Sequence, residues 1–252
     1  MRVLVARVDG SAMTFTTVLW SFLAETHDLR HVLAAAAVCA LSGAAGFGAL
    51  RFAETARRPR RWAALAAVAF GAGAWTTHFV AMVGYRPDVA LGFTVPSLAT
   101  SALAALVAGW ALAAGARAGG VRGDLAGGLG GGAAVAAMHH AGVAGISGCL
   151  GEASLWPAVQ GSALGATLFV AALRLRRREG GALATPVCAL TLGVAALHFV
   201  WMGGVSLSGI GETPVSGLTR AAIAPLTLVL ALMLAALLVG VTVAQAGAGR
   251  DV

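Results

Sequence analysis

Seven long apolar runs, separated by short polar breaks, organise the chain. They lie near Leu29 to Leu50, Trp62 to Gly84, Phe93 to Ala114, Leu125 to Ile146, Trp156 to Leu173, Pro186 to Leu207 and Ala221 to Val243. A bilayer core of about 30 Å calls for about 20 apolar residues per helix, so the pattern predicts an all-α, seven-transmembrane-helix bundle. The run from Leu125 has the lowest helix propensity, because Gly127, Gly128, Gly130, Gly131 and Gly132 fall inside it. In a membrane such small residues form a face along which helices approach closely. The segment 1–26 carries only a short apolar piece, Phe15 to Ala24, and is expected to be a partly disordered N-terminal extension, with Met13 an alternative start. The membrane domain is expected over 27–244 and a short cytoplasmic tail over 245–252, with no soluble output domain attached.

Composition agrees with that class. The 252 residues are 59% hydrophobic and 11% charged, and the mean hydropathy is +0.86, which leaves too little polar surface to coat a soluble globule. All 17 basic residues are arginine. They cluster at Arg51, Arg57, Arg58, Arg60 and Arg61, at Arg117 and Arg122, and at Arg174, Arg176, Arg177 and Arg178, that is, in every second break. Cytoplasmic loops carry such an excess, so the N-terminus is expected outside and the C-terminus inside, in a multi-pass protein of the inner (plasma) membrane. The same topology accounts for the net charge of +7 without a nucleic-acid partner. The partner so implied is the lipid bilayer.

Three histidines stand near the same end of three runs: His78, His139 and His198, spaced 61 residues (78 to 139) and 59 residues (139 to 198) apart. Under this topology all three fall in the outer half of the second, fourth and sixth helices. A single histidine there is commonly a helix–helix hydrogen-bonding group. Three at matched depth, each costly to insert, point instead to one shared site. His78 and Met82 are four residues apart, as are His198 and Met202, so each pair shares a helix face. A helix, an arginine-rich inner loop and a histidine-bearing helix recur about every 60 residues, giving three two-helix repeats plus a final helix. Trp20, Trp75, Trp156 and Trp201 read as interfacial anchors. His31 stands alone and is expected to be structural.

The local sequences Trp75-Thr76-Thr77-His78-Phe79-Val80-Ala81-Met82, Met138-His139-His140-Ala141-Gly142-Val143 and Ala196-Leu197-His198-Phe199-Val200-Trp201-Met202 resemble the thrice-repeated signature of the bacterial MHYT integral membrane sensor domain. His27-Asp28 before the first helix fits as well, and the resemblance runs from about Ser21 to Val243. It implies a non-enzymatic seven-helix sensor that detects oxygen, carbon monoxide or nitric oxide, or redox or copper status, through a copper ion held by the motif residues near the outer face. The signal would pass to a separate signalling partner. The motif methionine is replaced by Thr77 in the first copy and Leu197 in the third, and the tail of the second copy has become His140-Ala141-Gly142-Val143. The remaining candidate ligands are His78, His139 and His198 with Met82, Met138 and Met202; His140, His27 and Cys149 are additional candidates.

Thioether sulfur favours Cu(I) and imidazole suits copper, zinc and iron, so this mixed set leans to copper and leaves zinc, iron or haem open. Cys39 and Cys188 are expected at other depths, and three unpatterned cysteines form no disulfide framework. A membrane hydroxylase would need several HxxxH or HxxHH clusters, and the chain has a single HxxxH, from His27 to His31. The inner halves of the histidine-bearing helices hold almost no ligands, which disfavours a transport path. A copper-handling protein and a purely structural, partner-docking membrane protein are the alternatives that stay open.

Overall fold

Asp28 starts a long apolar helix by accepting a hydrogen bond from the Arg30 backbone N–H at 2.9 Å, satisfying one of the donors that a helix start leaves open. That helix, α1 (Leu29–Ala53), is followed by α2 (Pro59–Val83), α3 (Val95–Ala118), α4 (Gly120–Ala144), α5 (Leu155–Arg178), α6 (Ala184–Met202) and α7 (Arg220–Ala248). The computed structural model describes residues 25–87, 89–178, 182–208 and 214–248. The expectations for residues 1–24, including Met13 and Trp20, and for 249–252 lie outside the described residues. Proline in the first turn of α2 and of α3 presets the helical φ where no N–H is needed. Between α3 and α4 the chain reverses through Gly119 and Gly120, at φ 66° and 64°, a region that side chains disfavour.

Among the described residues six helices are long and apolar enough to cross a membrane, and the chain is an all-α, multi-pass membrane protein. By that measure α4 falls short, because Arg122, Asp124 and its glycines dilute its hydropathy, yet it packs along both α3 and α5. Its start at Gly120 is five residues before the expected Leu125. At the other end of the chain α7 runs past Ala244 to Ala248, so the expected tail is partly helical. The sixth helix ends at Met202 rather than Leu207, where Gly203 and Gly204 turn the chain into a strand.

Packing follows from the small residues. The closest partners are the sequential pairs α1 with α2, α3 with α4 and α5 with α6; α2 with α3, α4 with α5 and α1 with α6 close the six into a ring. The remaining helix, α7, lies outside against α1 and α2. Most of its face, including Leu228, Leu232 and Val239, is exposed and suited to lipid. A Cβ on Gly132 of α4 would fall 2.6 Å from the Ala166 Cα of α5, and one on Gly127 would fall 2.8 Å from the Gly115 Cα of α3. Gly132→Leu is therefore expected to push α4 from α5 and to destabilise the fold by about 1–3 kcal/mol, read as a lower Tm in detergent.

At the histidine end the connections pair into two small antiparallel sheets that an all-helical reading did not foresee. Strand β1 (Gly92–Phe93) lies between β2 (Ile146–Ser147) and β5 (Leu218–Thr219), and β3 (Leu150–Ala153) pairs with β4 (Val205–Ser208). The loops after α2, α4 and α6 are thereby tied together over that end of the bundle. His27 bridges to Tyr85, Arg220 donates to the Tyr85 carbonyl at 2.6 Å, and Arg86 pairs with Asp28 at 2.5 Å. That pairing and the Arg30 N–H hold the Asp28 carboxyl below the usual carboxylate range.

Candidate metal centre

His78, His139 and His198 sit four or five residues before the ends of α2, α4 and α6, and the ring closure turns all three inward. Their exposures are 2%, 1% and 4%. Nδ1 of His78 lies 3.3 Å from Nδ1 of His198, and Nε2 of His139 lies 3.2 Å from that same nitrogen. One nitrogen from each ring falls within 4.8 Å of the other two. A neutral imidazole nitrogen carries either one proton or one lone pair, so Nδ1 of His198 cannot hydrogen-bond well to both neighbours at once. A cation among the three uses all three lone pairs. Nitrogens about 2.0–2.1 Å from one ion and tetrahedrally disposed stand about 3.3 Å apart, which matches the two observed separations.

The far nitrogens, Nε2 of His78, Nδ1 of His139 and Nε2 of His198, are buried without a hydrogen-bond partner. They carry the protons when the near nitrogens act as ligands, and burying them unpaired costs free energy that a bound ion offsets. On these grounds the residues fit a metal. Gly142 of α4 makes room for the first ring, since a Cβ there would fall 2.7 Å from Nε2 of His78. Gly142→Val is expected to displace His78 and to weaken metal binding about ten- to a hundredfold with every ligand still in the chain. Metal titration with a parallel check of helix content would show it.

The other candidates divide. Met82, Met138 and Met202 are all buried in the same apolar core, at 0%, 1% and 2% exposure. His27 is fully buried above the trio, its ring edge-on to His198 at 5.6 Å and to Phe199 at 5.2 Å. Burial lowers its pKa to about 4, so it is neutral near pH 7. His140 points away: it is exposed and lines an outer cavity of about 230 Å³ with Glu152 and Trp201. Cys149 is buried among the connections at the histidine end, where burial raises its thiol pKa, and it is not part of the cluster of three.

Two expectations are corrected. Trp201 is no surface anchor but stacks on His139 at 4.8 Å and 29°, and Trp75 is buried and donates to Ser101 at 2.9 Å. Trp156 is 66% exposed. Cys39 is not at the wrong depth: it lines a cavity of about 70 Å³ together with His78 and His198. Thr77 and Thr191 line it too, and Ala35, Val194 and Ala195 make much of the remaining wall. Apolar cavities of this kind stay dry and admit small apolar molecules.

Residues 71–128, which include His78, match the family model MHYT, described as a bacterial signalling protein N-terminal repeat. An uncharacterized signaling protein of Caulobacter vibrioides is 33% identical over 215 residues, covering 75% of this chain and 24% of the relative. The cyclic di-GMP phosphodiesterase NbdA of Pseudomonas aeruginosa is 32% identical over 190 residues, covering 68% of this chain and 24% of the relative. The chain thus spans about a quarter of the length of these curated relatives. No solved structure matches. With the family model on its first motif copy and the histidines of all three copies gathered at one point, the chain belongs to the MHYT family.

Proposed function

We propose that this chain is the sensory part of a membrane signalling system, holding copper through His78, His139 and His198 and detecting a diatomic gas or a redox or copper change there. The observation that carries the reading is the convergence of three buried, otherwise unpartnered imidazoles from three different helices. Bound copper would supply an open coordination position for a diatomic ligand and a one-electron redox change. The chain's own residues do the rest. The three rings hold the ion, Gly142 and Trp201 seat two of them, and the cavity beside His78 and His198 has the size and apolar wall that a dissolved gas prefers to water. Met82, Met138 and Met202 are proposed as the soft donors that favour the reduced ion.

In this reading α4 also crosses the bilayer, giving seven spans. The pairs α1–α2, α3–α4 and α5–α6 are three repeats, and the histidine end faces outward, with the N-terminus outside, the C-terminus inside and the inner membrane as the location. The arginine-bearing connections support the orientation. A ligand that binds one arrangement of α2, α4 and α6 better than another shifts the balance between them, and a signalling partner at the arginine-bearing end would read the shift. The activity in the name of the Pseudomonas relative is proposed to reside outside the aligned quarter, leaving this chain without a catalytic step.

Metal content of the detergent-purified protein, with visible and infrared spectra taken before and after carbon monoxide, tests the reading. Copper bound in stoichiometric amount and a carbon monoxide band are expected. Haem absorption, or no metal above background after copper loading, would overturn it.

A further inference from the structure

The opposite end of the bundle carries a polar cleft of about 530 Å³ that the sensory reading does not use. Arg51 and Glu54 from the end of α1, Arg176 and Arg177 from the end of α5, and Leu183 at the start of α6 line it, over a Phe47 wall. Three guanidinium groups thus converge from two helices. The fork of Arg177 is engaged by Asp124, which is buried in α4. Arg176 gives Nη2 to Glu54 at 2.8 Å, yet its Nε is buried with no partner, and its side chain is only 12% exposed. Leu183 caps α6 without a side-chain hydrogen bond, so the positive end of that 19-residue helix also borders the cleft.

We propose that this cleft binds the phosphodiester headgroup of an anionic membrane lipid. A tetrahedral oxyanion matches what the cleft holds: the positive charge of three guanidinium groups, an unpartnered donor on Arg176 and a helix N-terminus. Counting Asp124, the five charged groups sum to one excess positive charge, which one phosphodiester neutralises. The charged residues of the cleft lie within two residues of the ends of α1 and α5, the level at which a bilayer presents headgroups, and basic pockets between membrane helices are suited to them. Phe47 and Leu183 give the glycerol and upper acyl carbons an apolar wall.

Native mass spectrometry of the full chain in detergent, titrated with phosphatidylglycerol, phosphatidylcholine or inorganic phosphate, tests the site. Phosphatidylglycerol is expected to bind at least tenfold more tightly than phosphatidylcholine. That preference should be lost in R51Q/R176Q and kept in R57Q, which alters an exposed arginine outside the cleft. R51K/R176K keeps the charge and removes the fork, so it is expected to bind in between and serves if the glutamine variant does not fold. Equal lipid binding by wild type and the cleft variants would overturn the site. Saturable competition by inorganic phosphate, with the same arginine dependence and no lipid preference, would overturn the lipid assignment in favour of a soluble phosphate.

Discussion

Alanine at any one of His78, His139 or His198 is expected to lower copper affinity at least a hundredfold, because each ring supplies a third of the imidazole donors and none has a nearby substitute at its own position. The three variants should be close to equivalent, since Nδ1 of His198 stands 3.3 Å and 3.2 Å from its two neighbours and a single ion spans all three. His140→Ala is the internal control. That ring is exposed beside Trp201 at 6.0 Å and should leave stoichiometry unchanged. Copper content and titration of the four variants, each checked for helix content, decide the matter. Loss in one histidine variant alone would mean a site built elsewhere with that residue. His27→Ala has a separate signature: its ring packs on His198 from above, so a moderate loss of affinity with intact stoichiometry would identify it as a positioning residue.

The trio was legible in the chain because its cost is local. A histidine inside an apolar run is expensive wherever the helix sits, and three at equal depth leave few arrangements other than convergence. The helices were legible for the same reason, apart from α4, whose start was hidden by Arg122 and Asp124. Asp124 is buried, and its partner Arg177 lies 53 residues further along the chain, so no local pattern announces the pair. The depth of Cys39 was not legible, because depth in the bundle depends on how α1 slides against α2. Gly84 packs on His31 and Gly73 packs on Ser42, which sets Cys39 within about a turn of His78. Trp201 was taken for an anchor because composition at a helix end does not reveal which way a ring turns. The short sheets escaped notice for a similar reason: strands of two to four residues have too few positions to show an alternation.

Filling the cavity beside His78 and His198 is expected to separate gas access from metal binding. Ala195 lies on its wall and is not a ligand, so Ala195→Phe places a ring in a space of about 70 Å³ with copper still held by the three histidines. Stoichiometry should stay at the wild-type value, while the carbon monoxide affinity, read from the infrared or visible change, should fall at least tenfold. Leu192→Phe puts the same ring on α6 at a position that is 54% exposed, and should change neither quantity. The cost in stability should be at the low end of the 1–3 kcal/mol usual for overpacking, because empty space is available to receive the ring. An Ala195→Phe protein that binds both copper and carbon monoxide like wild type would show that gas reaches the centre from elsewhere. The outer cavity bordered by His140 and Trp201 is then the next route to close. Loss of copper as well would mean that the cavity wall and the trio are one packing unit, and that small shifts of α6 reach the metal. Such coupling is what a sensor needs: occupancy of a small apolar space is read as a displacement of one ligand-bearing helix.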